Sequence, residues 1–327
     1  MLRKIRIALA VLFFSAVTLL FLDFTGTATE WFGWTAKIQF LPSLLAANLA
    51  VVAGLVLLTL LFGRIYCSVI CPLGVLQDVF SHAAGRRKRN RFAYAPAMTL
   101  VRAGFLAAFI ALAALGLLSV ASLVAPYSAY GRIASNFLAP VWALGNNALA
   151  ALSEAAGGYA FYPAGIWFKG AGVFLAAAAT LAVVGVLAWK GGRTYCNTVC
   201  PVGTVLGFFA KYSLFKPVID ASKCNSCSLC SRNCKSKCID YKNHSIDYSR
   251  CVACFDCVGV CRKSAISYSP AFAKKAAAKR AEAERAARPE GARAEFSEAK
   301  KEPPAVFRKG RRGFFSTLFM LAGGAAA

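Results

Sequence analysis

The chain is poor in histidine and poor in charge. Only two histidines, His82 and His244, occur in 327 residues, and neither falls in an apolar run. Membrane haem sites draw histidine ligands from within the spans, so haem is set aside as a redox group, and both histidines read as surface residues. Just 16% of residues are charged while 58% are hydrophobic, a balance too oily for a soluble protein. Acidic residues are the scarcer sign: 14 Asp and Glu against 38 Lys and Arg leave a net charge of +24. The sequence has no glycine-rich phosphate loop after a strand and no visible nucleophile triad, so nothing points to nucleotide-dependent or hydrolytic chemistry. The basic excess needs no nucleic acid, because inner loops and a tail lying near anionic membrane lipid account for it.

What is present begins with four apolar runs, near 5–22, 44–62, 98–125 and 165–189. A helix of about 20 residues crosses about 30 Å of hydrocarbon, and each run is long enough. Arg3, Lys4 and Arg6 precede the first run as in a signal peptide, but no small-residue cleavage site follows, so it reads as a retained anchor. The loop after the second run carries Arg64, Arg86, Arg87, Lys88, Arg89 and Arg91; the connections after the first and third offer little beyond Lys37 and Arg132. Positive-inside bias then places both ends of the four-span unit, and loop 64–97, in the cytoplasm. The expected location is multi-pass in the cytoplasmic (inner) membrane. The stretch 137–158, interrupted by Pro140, Gly145, Asn146 and Asn147, reads as an interfacial or re-entrant helix.

All thirteen cysteines fall on the cytoplasmic side of this topology, where thiols stay reduced, so metal or redox chemistry outranks disulfides. Eight form two identical runs, CNSCSLCSRNC at 224–234 and CVACFDCVGVC at 251–261. Each is C-x-x-C-x-x-C-x-x-x-C, the bacterial ferredoxin spacing in which three thiolates wrap one cubane and the fourth serves the other. Cys224, Cys227, Cys230 and Cys261 are thus assigned to one 4Fe–4S cluster, and Cys251, Cys254, Cys257 and Cys234 to a second. Zinc also suits C-x-x-C pairs, but two matching four-cysteine runs point away from it. A shift of 27 residues further aligns Ile219-Asp220 with Ile246-Asp247, Lys223 with Arg250, and Ile239 with Ile266, with a short strand expected before each loop. Lys235 and Arg262 stand where ferredoxins usually have proline, and their charge is expected to favour the reduced clusters. Cys238, aligned with Ala265, is the odd thiol and reads as a small buried packing residue ahead of a further ligand.

Four more cysteines occupy GRIYCSVICPLG at 63–74 and GRTYCNTVCPVG at 192–203. Residues four apart share a helix face, so Cys67 pairs with Cys71 and Cys196 with Cys200. Pro72 and Pro201 should each open a new helix, whose N-terminus, with Arg64 and Arg193 nearby, would lower the thiol pKa. The four sulfurs can converge on one additional metal or redox-thiol site; whether it holds a cluster, holds another metal, cycles a dithiol or merely packs stays open. Gln77 and Asp78, just beyond, either line a quinone pocket or are simple helix-surface polarity.

Paired C-x-x-x-C-P motifs at membrane-helix ends followed by two ferredoxin runs resemble the membrane polyferredoxins. That family includes NapH- and NosR-like 4Fe–4S accessory proteins of periplasmic nitrate and nitrous-oxide reductases, and copper-oxidase assembly proteins. The resemblance spans about residues 1–270. It implies electron transfer from a cytoplasmic or quinol donor toward a membrane or periplasmic redox partner. A periplasmic flavin domain is lacking, and TGTAT at 25–29 reads as a helix-end turn. Arg311 and Arg312 ahead of Phe314 and Phe315 look like a twin-arginine signal core, which in similar proteins leads into an exported ferredoxin-like domain. Fourteen apolar or small residues are few for a crossing, so this end reads either as truncated, the favoured expectation, or as a short C-terminal membrane anchor.

The expected architecture is a mainly α membrane protein, a four-transmembrane-helix bundle with a cytoplasmic α+β two-cluster ferredoxin domain. Its parts are a membrane domain (1–216), the ferredoxin domain (217–270), a charged linker (271–309) and the terminal apolar segment (310–327). An electron-transfer component is favoured over a stand-alone enzyme. The alternatives are a thiolate-dependent copper-type metal reductase or assembly factor, since soft thiolates favour Cu(I), and a cluster-bearing sensor.

Overall fold

The structure, a computed structural model, describes residues 1–85, 92–158, 161–165 and 170–270. Helix α1 (Leu2–Leu22) is followed by α2 (Thr27–Lys37), α3 (Phe40–Leu45), α4 (Leu49–Phe62), the single-turn α5 (Tyr66–Val69) and α6 (Pro72–Gly85). After them come α7 (Thr99–Ala114), α8 (Leu118–Ala121) and α9 (Pro126–Ile133), which runs on through a π-helical turn at 134–138 into α10 (Ala139–Ala155). Then α11 (Ala171–Gly191), α12 (Thr194–Thr198) and α13 (Pro201–Ala210) repeat the order of α4, α5 and α6. The cysteine-dense part contributes β1 (Phe215–Ile219), α14 (Leu229–Arg232), β2 (Ile239–Asp240), β3 (Ser245–Ile246), α15 (Asp256–Val260) and β4 (Ile266–Pro270).

Two of the four expected spans form helices of crossing length. α1 and α11 have 21 residues each, and only 22% and 17% of their apolar stretches are buried, unlike core helices of a soluble protein. The other two are interrupted. Ala47 adopts left-handed backbone (φ 52°), and the Asn48 side chain accepts from the Val51 N–H to cap a new helix, so run 44–62 yields the 14-residue α4. Gly116, at φ 75°, stops run 98–125 just beyond the 16-residue α7. At about 1.5 Å per residue these helices reach only about 21 and 24 Å. The four-span bundle is thus corrected to two long apolar helices and two shorter ones. Their outward faces are nonetheless oily, with Leu49 and Leu57 on α4 and Leu100 and Ile110 on α7 exposed.

The packing follows the duplication. α4 packs against α13, and α11 packs against α6, so the long helix of each half rests on the helix that follows the other half's cysteines. Glycine makes both corners possible: Gly63 and Gly192 end α4 and α11 at φ 74° and 69°, a conformation that costs other residues a Cβ clash.

The cysteine-dense part carries its own two-fold. β1 pairs antiparallel with β4, from Phe215↔Pro270 to Ile219↔Ile266, and β2 with β3 through Ile239↔Ile246. Each strand leading into a cysteine loop therefore pairs with a strand leaving one. Even the left-handed residues recur at the 27-residue shift: Ser226, Ser228 and Lys237 match Ala253, Phe255 and Ser264. Strained non-glycine backbone at equivalent positions is a mark of loops shaped for a site.

All described residues belong to one unit, Met1–Ala278, without a break at 216. The Leu214 N–H donates to the Leu60 carbonyl (2.7 Å), the Tyr268 hydroxyl to the Phe62 carbonyl (3.0 Å), and the Arg193 N–H to the Lys235 carbonyl (2.9 Å). The cysteine-dense part is thereby tied to the ends of α4 and α11. The expected linker 271–309, the segment 310–327 with Arg311 and Arg312, and the basic residues 86–91 lie outside the described residues.

Candidate functional site

Cys67, Cys71, Cys196 and Cys200 are each 3% exposed, and they gather beneath the helix ends. α5 and α12 present the first cysteine of each motif; Pro72 and Pro201 then open α6 and α13 directly after the second, as expected. Each sulfur meets an N–H donor. Arg64 Nη2 reaches Cys67 Sγ (3.9 Å), Gln77 Nε2 reaches Cys196 Sγ (3.1 Å), the Gly203 N–H reaches Cys200 Sγ (3.3 Å), and the Gly74 N–H reaches Cys71. The expected low thiol pKa is not found. Burial pushes Cys71, Cys196 and Cys200 up, and for Cys71 and Cys200 the neighbouring sulfurs, Cys67 and Cys196 among them, add to it. Geometry brings the two motifs together as well, since one nitrogen, Arg64 Nη2, reaches both Cys67 Sγ and the Cys196 carbonyl.

The two halves reach across each other to build this pocket. Arg64 of the first motif donates to the Cys196 carbonyl (3.3 Å) and the Asn197 side chain (2.9 Å), while Arg193 of the second donates to the Cys67 carbonyl. Both guanidinium groups are fully buried. Arg193 is neutralised by Asp78, at 2.9 Å through both Nε and Nη2, and Asp78 also pairs with Arg6 and, at 3.6 Å, with Lys235. Burial opposes ionisation of Asp78, but Arg193, Lys235 and Arg6 together hold its carboxyl well below the usual carboxylate range. Arg64 has no carboxylate among its described partners; its remaining contact is the Ser249 carbonyl at 2.9 Å. A buried, unpaired cation is costly, so the sulfurs beside it are suited to carry negative charge.

Gln77 and Asp78 thus belong to the thiol site, Gln77 through its sulfur bond and Asp78 through its ion pairs. Simple helix-surface polarity does not hold for them, since Gln77 is fully buried and Asp78 largely so. The buried Gln77 Oε1 has no hydrogen-bond partner. Lys235 pairs with Asp78 (3.6 Å) and Asp256 (3.1 Å), and its charge also favours the anionic form of Cys254, one of the inner cysteines. Of the histidines, His82 is exposed on α6 and His244 half-buried in the β2–β3 turn.

The eight ferredoxin-type cysteines fall into the two expected sets. Cys224, Cys227, Cys230 and Cys261 line one cavity of about 300 Å³ together with Tyr241 and Arg262; Cys227 is exposed, and burial pushes Cys230 up to about 11. Cys234, Cys251, Cys254 and Cys257 line a much smaller one, about 20 Å³, and Cys238 joins them there. The inner set abuts the quartet: Val252 and Cys254 pack in the same core as Cys67, Cys71 and Cys200, and Arg64 spans both sites through Cys67 Sγ and the Ser249 carbonyl. Arg102 adds a second clamp on Ser249, at 3.1 Å to its hydroxyl and 3.3 Å to its carbonyl.

Among the described residues, no three His, Cys, Asp or Glu side chains stand close enough to hold a single metal ion. A tetrahedral ion with sulfur at about 2.3 Å would draw its ligands tightly together. A cubane spreads its thiolates over the corners of a polynuclear core, and thiolate-only sets lining a shared cavity fit that group.

A family model described as a 4Fe-4S binding domain matches the chain twice, over residues 44–91 and 171–220. Over these two segments, less than a third of its length, the chain is similar to 4Fe-4S binding domains. The cysteines inside the matched segments are Cys67, Cys71, Cys196 and Cys200, so the family signal falls on the C-x-x-x-C-P halves and ends before Cys224. An uncharacterized protein of Methanocaldococcus jannaschii is 50% identical over 40 residues, which is 12% of this chain and 16% of that protein. No solved structure matches the chain.

Proposed function

We propose that this protein is a membrane-anchored iron–sulfur electron carrier with three thiolate stations. Cys224, Cys227, Cys230 and Cys261 hold an outer cubane; Cys234, Cys251, Cys254 and Cys257 hold an inner one; Cys67, Cys71, Cys196 and Cys200 hold a third group, for which iron–sulfur is the first choice. When bound, these groups supply reversible one-electron chemistry. The exposed outer station faces a soluble donor, and the quartet faces a redox partner in or across the membrane. α1 and α11 anchor the chain in lipid, with the cysteine-rich part in the cytoplasm of a cell whose inner membrane it spans.

The single observation that carries this reading is the shared wall between quartet and inner cysteines. Arg64 bonds Cys67 Sγ on one side and the Ser249 carbonyl, two residues before Cys251, on the other, and Val252 and Cys254 pack in the same core as Cys67, Cys71 and Cys200. The protein's own contribution is to exclude water there, to supply N–H donors to sulfur, and to balance thiolate charge with Arg64.

Iron and acid-labile sulfide per chain test the proposal. Anaerobically purified protein should carry about twelve irons, at four per cubane, with reduced cubane signals in electron-spin resonance. Changing Cys67 and Cys196 together to alanine should remove about four irons and leave the ferredoxin signals intact. Iron-free protein would end the whole reading, and undiminished iron in the variant would remove the third station.

A further inference from the structure

We infer that Cys238 is a fifth metal-binding thiol of the inner site, able to take the corner assigned to Cys234. The inference rests on the reading of Cys234, Cys251, Cys254 and Cys257 as a cluster site, and it goes beyond that reading by giving the site two interchangeable ligands. The observation is a juxtaposition of sulfurs. Cys238 Sγ lies 3.5 Å from Cys234 Sγ, is 1% exposed, and lines the same cavity as Cys234, Cys251, Cys254 and Cys257.

The internal duplication supplies an independent argument. At the 27-residue shift Cys238 corresponds to Ala265, and Ala265 lines the outer cavity just as Cys238 lines the inner one. The Ala265 N–H donates to Cys261 Sγ (3.3 Å), and Cys238 meets Cys234 through its own sulfur at 3.5 Å. This position therefore sits on the fourth cysteine of its own run in both halves. In the outer half its side chain is an inert methyl. In the inner half it is a thiol, in contact with the assigned ligand Cys234 and lining the cavity that Cys251 also lines.

A cubane has four iron corners and takes four thiolates. Five thiols around one cavity are one more than the corners need, and the two closest together are Cys234 and Cys238. A shared corner needs little rearrangement, because Cys234 and Cys238 are joined by one short turn held by the Lys237 N–H donating to the Cys234 carbonyl at 3.0 Å. Cys254 and Cys257 have no comparable stand-in: the quartet sulfurs beyond Cys254 belong to another site, and Cys230 belongs to the outer set. The inner site is thus doubly provided at one corner only.

Iron content and electron-spin resonance of full-length variants decide the matter, with wild-type protein as baseline. C238A should keep wild-type iron, with Cys234 as ligand. C234A should also keep its iron, with altered resonance positions because the ligand loop has changed. The double variant should lose about four irons, as should C254A, while the outer cubane signal persists in all and reports that the chain is folded. If C234A loses the same four irons as the double variant, Cys238 is not a ligand. If the double variant retains full iron, neither thiol occupies the corner and the inference fails equally. A wild-type protein lacking inner-cluster iron would instead overturn the underlying assignment, so the two failures are distinguishable.

Discussion

Replacing Asp78 by asparagine will destabilise the protein by about 3–5 kcal/mol, the cost of stranding buried charges by removing their partner. Arg193 is fully buried and Arg6 nearly so, and Asp78 pairs with both, with Lys235 as a third cation. Asparagine fits the space but cannot neutralise them. Thermal unfolding in detergent should show a large fall in midpoint, whereas D220N, at a largely exposed pair with Lys223, should shift it hardly at all. An equal shift in the two variants would contradict the assignment. The same carboxylate sets a pH dependence. Its folded pKa is depressed, so its contribution is complete above the unfolded value of about 3.9 and is lost as pH falls through the lower folded value. Stability should hold down to about pH 4 and then decline in wild-type protein, and D78N should lack that decline.

Alanine at Gly74 or Gly203 will be nearly as damaging, and by similar amounts. A Cβ at Gly74 would collide with the Cys67 carbonyl and stand 2.8 Å from Arg193 Nη1; at Gly203 it would collide with the Cys196 carbonyl and stand 3.1 Å from Arg64 Nη2. Backbone carbonyls cannot swing aside as a flexible side chain does, so each variant should lose about 3 kcal/mol, the upper part of the range for overpacking. Iron at the quartet should fall with stability. Gly54 on α4 is the control, since nothing lies within 4 Å of a Cβ there. G54A losing as much as G74A would show that glycine content, not close approach, governs the effect.

The duplications were the most legible features. The 27-residue repeat anticipated the paired strands and the two cysteine sets, because metal-ligand spacing is written directly in sequence. Pro72 and Pro201 likewise marked the starts of α6 and α13. Spans were harder to read: apolar content says nothing of a left-handed residue at Ala47 or Gly116, and those residues cut two runs short. The thiol site was half visible. Sequence paired Cys67 with Cys71 and Cys196 with Cys200, but the exchange of Arg64 and Arg193 between halves is a tertiary contact over 130 residues. The matched Gly-Arg pairs at 63–64 and 192–193 were the available hint. Gln77 looked like surface polarity because its partner, Cys196, is 119 residues away. The thiol pKa expectation failed because helix-end and charge effects were weighed without the opposing burial.

The unequal accessibility of the two ferredoxin-type cavities has a practical consequence. Dioxygen and chelators arriving from water meet Cys227 and the wide outer cavity first, whereas the inner thiols are shielded by Val252, Phe255 and the helix ends. Damage in air would therefore run from the outside inward, bleaching the colour in stages and leaving, for a time, molecules whose membrane-proximal half is intact but which can no longer be charged from solution.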